Sequence, residues 1–221
     1  MVLKWSDLQQ PWQVCFEEAW TAYRSGSLPI GAAVFDNRGN LLARGRNHIF
    51  DDHGVPGQVS LNQLAHAELN TLLQIDRRSH DLHTCVIYTS IEPCPLCMGA
   101  IYMSGVRTVH FAARDPYAGS TNLLGTTPYL SRKNIRIFAP AAQELEVIFL
   151  SLLVAAEHRR KQQTGWELFE TVVSAWRAVC PAGVAFGEVL HDDKVLAQWT
   201  NQDLPTETVF DLLVEKMMEK G

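Results

Sequence analysis

Two short stretches hold residues able to do chemistry together: His66-Ala67-Glu68 and Pro93-Cys94-Pro95-Leu96-Cys97. Cysteines spaced Cys-x-x-Cys can hold one ion from a single turn, because both sulfurs reach the same point above a helix start. A helix amino terminus also favours the thiolate, since its unpaired N–H groups and dipole stabilise negative charge. The His66 imidazole supplies a third ligand and leaves one tetrahedral position for water, the arrangement of a catalytic zinc. Zinc lowers the pKa of the water it binds from about 15.7 to about 7, so such a site supplies hydroxide at neutral pH. Glu68 stands two residues from the imidazole and is not needed as a ligand, so its role is proton shuttle. A Cys-x-x-Cys pair taken alone also serves as a redox couple or half of a structural zinc site. A structural site wants a fourth Cys or His, and none stands at an obvious nearby spacing.

These residues need a scaffold, and hydrophobic periodicity outlines one. From Trp5 to Tyr23 large apolar residues recur every three or four positions, predicting a helix with one buried stripe. Residues 30–47 predict two strands joined through Asn37-Arg38-Gly39-Asn40, and 48–63 a long polar loop. Residues 61–76 predict a second helix with His66 and Glu68 in its first turns. The β-branched run 84–91 predicts a buried central strand, stopped where Pro93 and Pro95 open a third helix that ends near Gly105. Two further strands are expected at 106–113 and 134–140, with a loop between them. Strands alternating with helices predict a sheet covered by helices on both faces, a three-layer α/β/α domain. Beyond it, 141–163 and 164–179 predict two amphipathic helices, 185–199 a hairpin turning at His191-Asp192-Asp193, and 204–220 a last helix. The polar stretch around residue 160 suggests a division into 1–158, carrying the metal residues, and an α+β extension, 159–221.

Composition narrows the function classes. With 221 residues, 47% hydrophobic and 19% charged, the chain can bury a sizeable core. The opening residues MVLKWSDLQQ lack the apolar run of an export signal. The longest apolar stretch, 147–156, falls short of the roughly 20 residues of a membrane span, so a soluble cytoplasmic protein is expected. Five cysteines over this length fit reduced thiols or metal ligands better than a disulfide framework. The net charge of -5, with 12 basic against 13 acidic residues in 1–150 and 7 against 11 beyond, offers a polyanion no clustered attraction and points to a small substrate.

Joined in this order, the segments PIGAAVFDNRGNLLARGRN, AHAELN and IYTSIEPCPLCMGAIYMSGVRTVHFAARDPYAG resemble the cytidine and deoxycytidylate deaminase superfamily. The H-x-E and P-C-x-x-C elements are the signature of zinc deaminases. The likeness spans about residues 5 to 150 and is greatest to the branch with guanine deaminase and the tRNA-specific adenosine deaminases. It implies a central five-stranded mixed sheet, zinc held by His66, Cys94 and Cys97, Glu68 as general acid and base, and a homodimer. Asn47 matches a position that hydrogen-bonds the ring, and an amide offers both donor and acceptor for that; its alternative is a loop cap. Asp115 resembles an acidic residue near the pocket but also starts an Asp-Pro turn. Ile30 is expected near the zinc floor, Glu92 at the helix entrance, and Phe50 either on a base or over the core. The expected activity is hydrolytic deamination of a free nucleobase or nucleoside with release of ammonia. The alternatives are adenosine editing in tRNA, which needs a basic rim, and an inert zinc-stabilised scaffold, which has no chemical reason to keep Glu68.

Overall fold

The computed structural model describes residues 2–76 and 78–220. Helix α1, Gln10–Arg24, opens on Pro11 and buries Trp12, Cys15, Phe16, Ala19, Trp20 and Tyr23 along one stripe. Strands β1, Gly31–Phe35, and β2, Leu41–Arg46, pair antiparallel. Their turn is closed by Asp36, whose Oδ1 accepts the backbone N–H of Arg38 and of Asn40. A long loop leads to α2, Ala67–Leu72, followed by β3, Val86–Ile91, α3, Pro95–Ser104, and β4, Thr108–Ala113. After another loop, β5, Arg136–Phe138, completes a sheet of order β2-β1-β3-β4-β5. β3 pairs antiparallel with β1 and parallel with β4, and β4 pairs parallel with β5. The mixed five-stranded sheet is thus the expected one.

Two cores flank it. On one face Val34, Ile87 and Val109 pack with Met98, Ile101 and Tyr102 of α3. On the other, Ala33 and Phe35 join α1 and helix α4, Gln143–Thr164. Every residue of α4 from Leu145 to Glu157 is buried, so this helix is not the amphipathic one its sequence suggested. It is covered on one side by the sheet and on the other by α5, Phe169–Val179, and above all α6, Pro181–Asp192; α7, Val195–Asn201, packs on α6, and α8, Thr206–Lys220, on α1. No described helix is long and apolar enough to cross a membrane.

The carboxy-terminal part corrects the expected α+β extension. Residues 185–199 form no hairpin; they lie in α6 and α7, and the part beyond α4 is helical throughout its described elements. Gly187 lowers the helix propensity of the segment read alone, and helix packing overrides it: Gly183 and Gly187 let α6 come close to α4. One turn apart on α6, they are where that helix meets α4: a Cβ on Gly187 would stand 2.6 Å from Cβ of Val154. The expected turn at His191-Asp192-Asp193 is displaced: His191 and Asp192 end α6, and the chain turns at Asp193 and Lys194, with Lys194 at φ 54, to join helix to helix. The boundary expected at 158/159 falls inside α4.

Candidate metal centre and its cavity

The four expected residues meet where α2 and α3 begin. His66 is the N-cap residue of α2 and Glu68 sits in its first turn; Cys94 is the N-cap residue of α3, with Pro95 and Cys97 in its first turn. Proline suits that place, because its missing N–H is one a helix start leaves unpaired. β3 delivers Cys94 from its carboxyl end, the side of an open α/β sheet where ligands bind.

The sulfurs of Cys94 and Cys97 lie 3.4 and 3.5 Å from Nδ1 of His66, and the three ligand atoms are all within 4.8 Å of one another. A tetrahedral ion with Zn–S near 2.3 Å and Zn–N near 2.0–2.1 Å would separate sulfur from nitrogen by about 3.6 Å. The donor set, two thiols with no disulfide and one imidazole, fits zinc. The fourth corner is not filled by a side chain: among the described residues no other His, Cys, Asp or Glu joins this group.

Electrostatics favour metal loading. Hydrogen bonding with Cys97, and then with the His66 imidazole, holds the Cys94 thiol down at about 4 despite its burial. Sharing that hydrogen bond with Cys94, together with burial, pushes Cys97 up. Hydrogen bonding to Cys94 raises His66. Glu68 is 3% exposed, and burial followed by the charge of Cys94 raises its carboxyl. Its Oε2 accepts from the Cys97 thiol at 3.1 Å, so the carboxyl stands beside the ligands without belonging to the group.

A cavity of about 190 Å³ opens beside this centre, lined by His66, Glu68 and Cys94. Asn47 and Ile30, both expected at the substrate, are in its wall. Asn47 is 1% exposed; its Oδ1 accepts the backbone N–H of Ile49 at 3.0 Å, while its Nδ2 finds no acceptor among the described residues. Asp115 is also in the wall, where Oδ1 accepts from the backbone N–H of Tyr117 and of Ala118 and from the indole N–H of Trp176 at 2.9 Å. Burial raises its carboxyl. Phe50 is not in the wall; its ring lies against the guanidinium of Arg160, 5.1 Å away.

Glu92 holds the cavity loop to the helix entrance, as expected. Its Oε1 accepts from the backbone and hydroxyl of Thr121, and its Oε2 from the backbone N–H of Asp115 at 3.3 Å. Gly119 must be glycine for this approach, since a Cβ there would stand 2.5 Å from the Glu92 carboxyl carbon.

The sequence reading missed the remaining wall. Leu153 and Glu157 of α4, Trp166 just after it, and Val172 and Trp176 of α5 close the cavity from the side of the extension. One signal was present: Glu157 is the first charge after the apolar run 147–156, and a lone carboxyl there is out of place in a core helix.

With this geometry in hand, comparison with known proteins is specific. Residues 6–113 match the cytidine and deoxycytidylate deaminase zinc-binding region, which takes in all four residues of the centre. The chain is 31% identical over 124 residues to a probable cytosine deaminase of Schizosaccharomyces pombe, covering 56% of this chain and 71% of that one. It is 34% identical over 113 residues to the tRNA-specific adenosine deaminase of Bacillus subtilis, covering 49% of this chain and 63% of that one. Among solved structures, a point mutant of NE0047 in complex with 8-azaguanine superposes with a TM-score of 0.50 at 27% identity, over 66% of this chain and 83% of that one. Helices α4 to α8 lie beyond residues 6–113, the part that matches the zinc-binding region. The cluster at the head of α2 and α3 is consistent with zinc, and the chain belongs to the cytidine and deoxycytidylate deaminase zinc-binding family.

Proposed function

We propose that the protein deaminates a free nucleobase or nucleoside by hydrolysis, releasing ammonia. The observation that carries this reading is the wall built by α4 and α5, which leaves a cavity of about 190 Å³. Sites for drug-sized ligands run to about 300–1,000 Å³, so the space suits a single small heterocycle. A flipped base on a polynucleotide also needs a basic surface to hold its phosphates, and the chain carries a net charge of -5.

His66, Cys94 and Cys97 would hold the zinc, which when bound supplies Lewis acidity and makes water nucleophilic near neutral pH. In the reaction, a C–O bond forms from water to the ring carbon and the C–N bond to its exocyclic amine breaks. Glu68 takes one proton from the water and delivers it to the adjacent ring nitrogen. It then carries the second proton to the departing amine, which leaves as ammonia. Burial raises this carboxyl above its ordinary value, which favours a group that both takes a proton and gives it up again.

The likeness to a tRNA-specific adenosine deaminase supplies the competing substrate. Ammonia release should be measured across free bases, nucleosides, nucleotides and a tRNA anticodon stem-loop. Turnover of one or more free bases or nucleosides with none of the stem-loop is the expected result; turnover of the stem-loop alone would overturn the reading.

A further inference from the structure

Three carboxyl groups line the cavity besides Glu68: Glu92, Asp115 and Glu157. Glu92 and Asp115 are tied to backbone N–H groups and to Trp176, bonds that build the wall itself. Glu157 differs. It is 4% exposed, and among the described residues its carboxyl meets only Arg160 on its own helix, one guanidinium nitrogen lying 3.4 and 3.2 Å from the two oxygens. That guanidinium is itself held over the Trp166 ring at 4.0 Å. A carboxylate offers about four acceptor sites, so most of the capacity of Glu157 is unused by the protein. Burial pushes its carboxyl up to about 7. An apolar residue would close this wall beside Leu153 and Val172 at lower cost, because a buried charge needs a good partner to be tolerated. The wall also contains the complementary group, the free amide N–H of Asn47.

Resting on the base-deaminase reading above, we propose that Glu157 is a specificity residue. It accepts a hydrogen bond from a ring N–H of the bound heterocycle while Asn47 donates to a ring carbonyl or nitrogen. The substrate class is then a free base presenting a lactam-type N–H beside an acceptor, as guanine and cytosine do. The specificity is supplied by α4, from outside the matched family region.

Matched pairs of bases test this: guanine against 1-methylguanine and cytosine against 1-methylcytosine, in which a methyl group replaces the ring N–H. Steady-state kinetics are measured for the zinc-loaded protein and for Glu157→Gln and Glu157→Ala, with zinc content and circular dichroism confirming that each variant is folded. A hydrogen bond to a charged group predicts that the unaltered protein prefers the parent base by about ten- to hundredfold in kcat/KM. Both variants should lose that preference, mainly through a higher KM for the parent and with little change for the methylated base. Unchanged parent kinetics in the variants, or an equal fall for both members of each pair, would overturn the assignment to Glu157 alone. Should Glu157→Ala fail to fold, the near-isosteric Glu157→Gln decides on its own. Absence of ammonia from every base with the unaltered protein would instead overturn the base-deaminase reading and this proposal with it.

Discussion

The roles proposed for Glu68 and the two cysteines differ, and single substitutions separate them. On the proposed mechanism Glu68→Ala removes the proton carrier beside the ligand group, so the variant should retain zinc while turnover falls about a hundred- to ten-thousandfold. Near-normal turnover there would contradict the shuttle role. Cys94→Ala leaves two ligands and should lower zinc content; full occupancy by atomic emission would remove Cys94 from the ligand set. These residues are legible in the sequence because each half of the centre is local, a His and a Glu within one turn and two Cys within another. Glu157 is not, since its place depends on how α4 is laid against the sheet. Its burial makes a second, independent prediction. In the folded chain its carboxyl titrates near 7 against an ordinary 4.5. Between those values the unfolded chain has released the proton and the folded chain still holds it, so stability falls as pH rises from about 4.5 to about 7 and then levels off. Glu157→Gln lacks this component. The stability of the unaltered protein relative to that variant should drop by on the order of 3 kcal/mol from pH 4.5 to 8; a difference independent of pH would show that the carboxyl is not held up by its surroundings.

At the scale of elements, strands and short helices next to the centre could be read from periodicity because each has one neighbour on each side. The β1–β2 hairpin and the βαβ unit from β3 through α3 to β4 satisfy local rules for turns, prolines and alternation. The helices after β5 answer to a different constraint, the close packing of α6 on α4, which a pattern within one segment cannot express. Gly187 lies at that crossing, within 2.7 Å of the Ser151 carbonyl oxygen by its missing Cβ. In an exposed helix, Gly→Ala stabilises by about 1 kcal/mol. Here the sign should reverse: Gly187→Ala forces α6 away from α4 and should destabilise by about 1–3 kcal/mol, as overpacking does. Denaturant unfolding measures this, and a stabilised variant would place the helix crossing elsewhere.

For the whole molecule, the apolar core decides whether the extension is an appendage. Phe16 of α1 meets Phe210 of α8 edge to face at 5.1 Å, and the backbone N–H of Trp5 donates to Asp211 at 2.7 Å. Leu150 and Val154 of α4 lie under Gly183 and Gly187, and Trp176 donates to Asp115 in the cavity wall. One continuous cluster of buried residues therefore runs from α1 through α4 to α8. Each large apolar side chain exposed on removing α5 to α8 costs about 1.5–3 kcal/mol, and Phe16, Leu150 and Val154 alone reach the lower part of the roughly 5–15 kcal/mol that holds a domain folded. A chain ending at residue 158 would also cut α4 one residue after Glu157 and leave the cavity without Trp166, Val172 and Trp176. Such a chain should be insoluble or molten, with near-ultraviolet circular dichroism lost, and should not turn over a base. A well-folded, zinc-loaded fragment that deaminates with unchanged selectivity would mean that the first 158 residues carry their own core and that α5 has no part in the cavity.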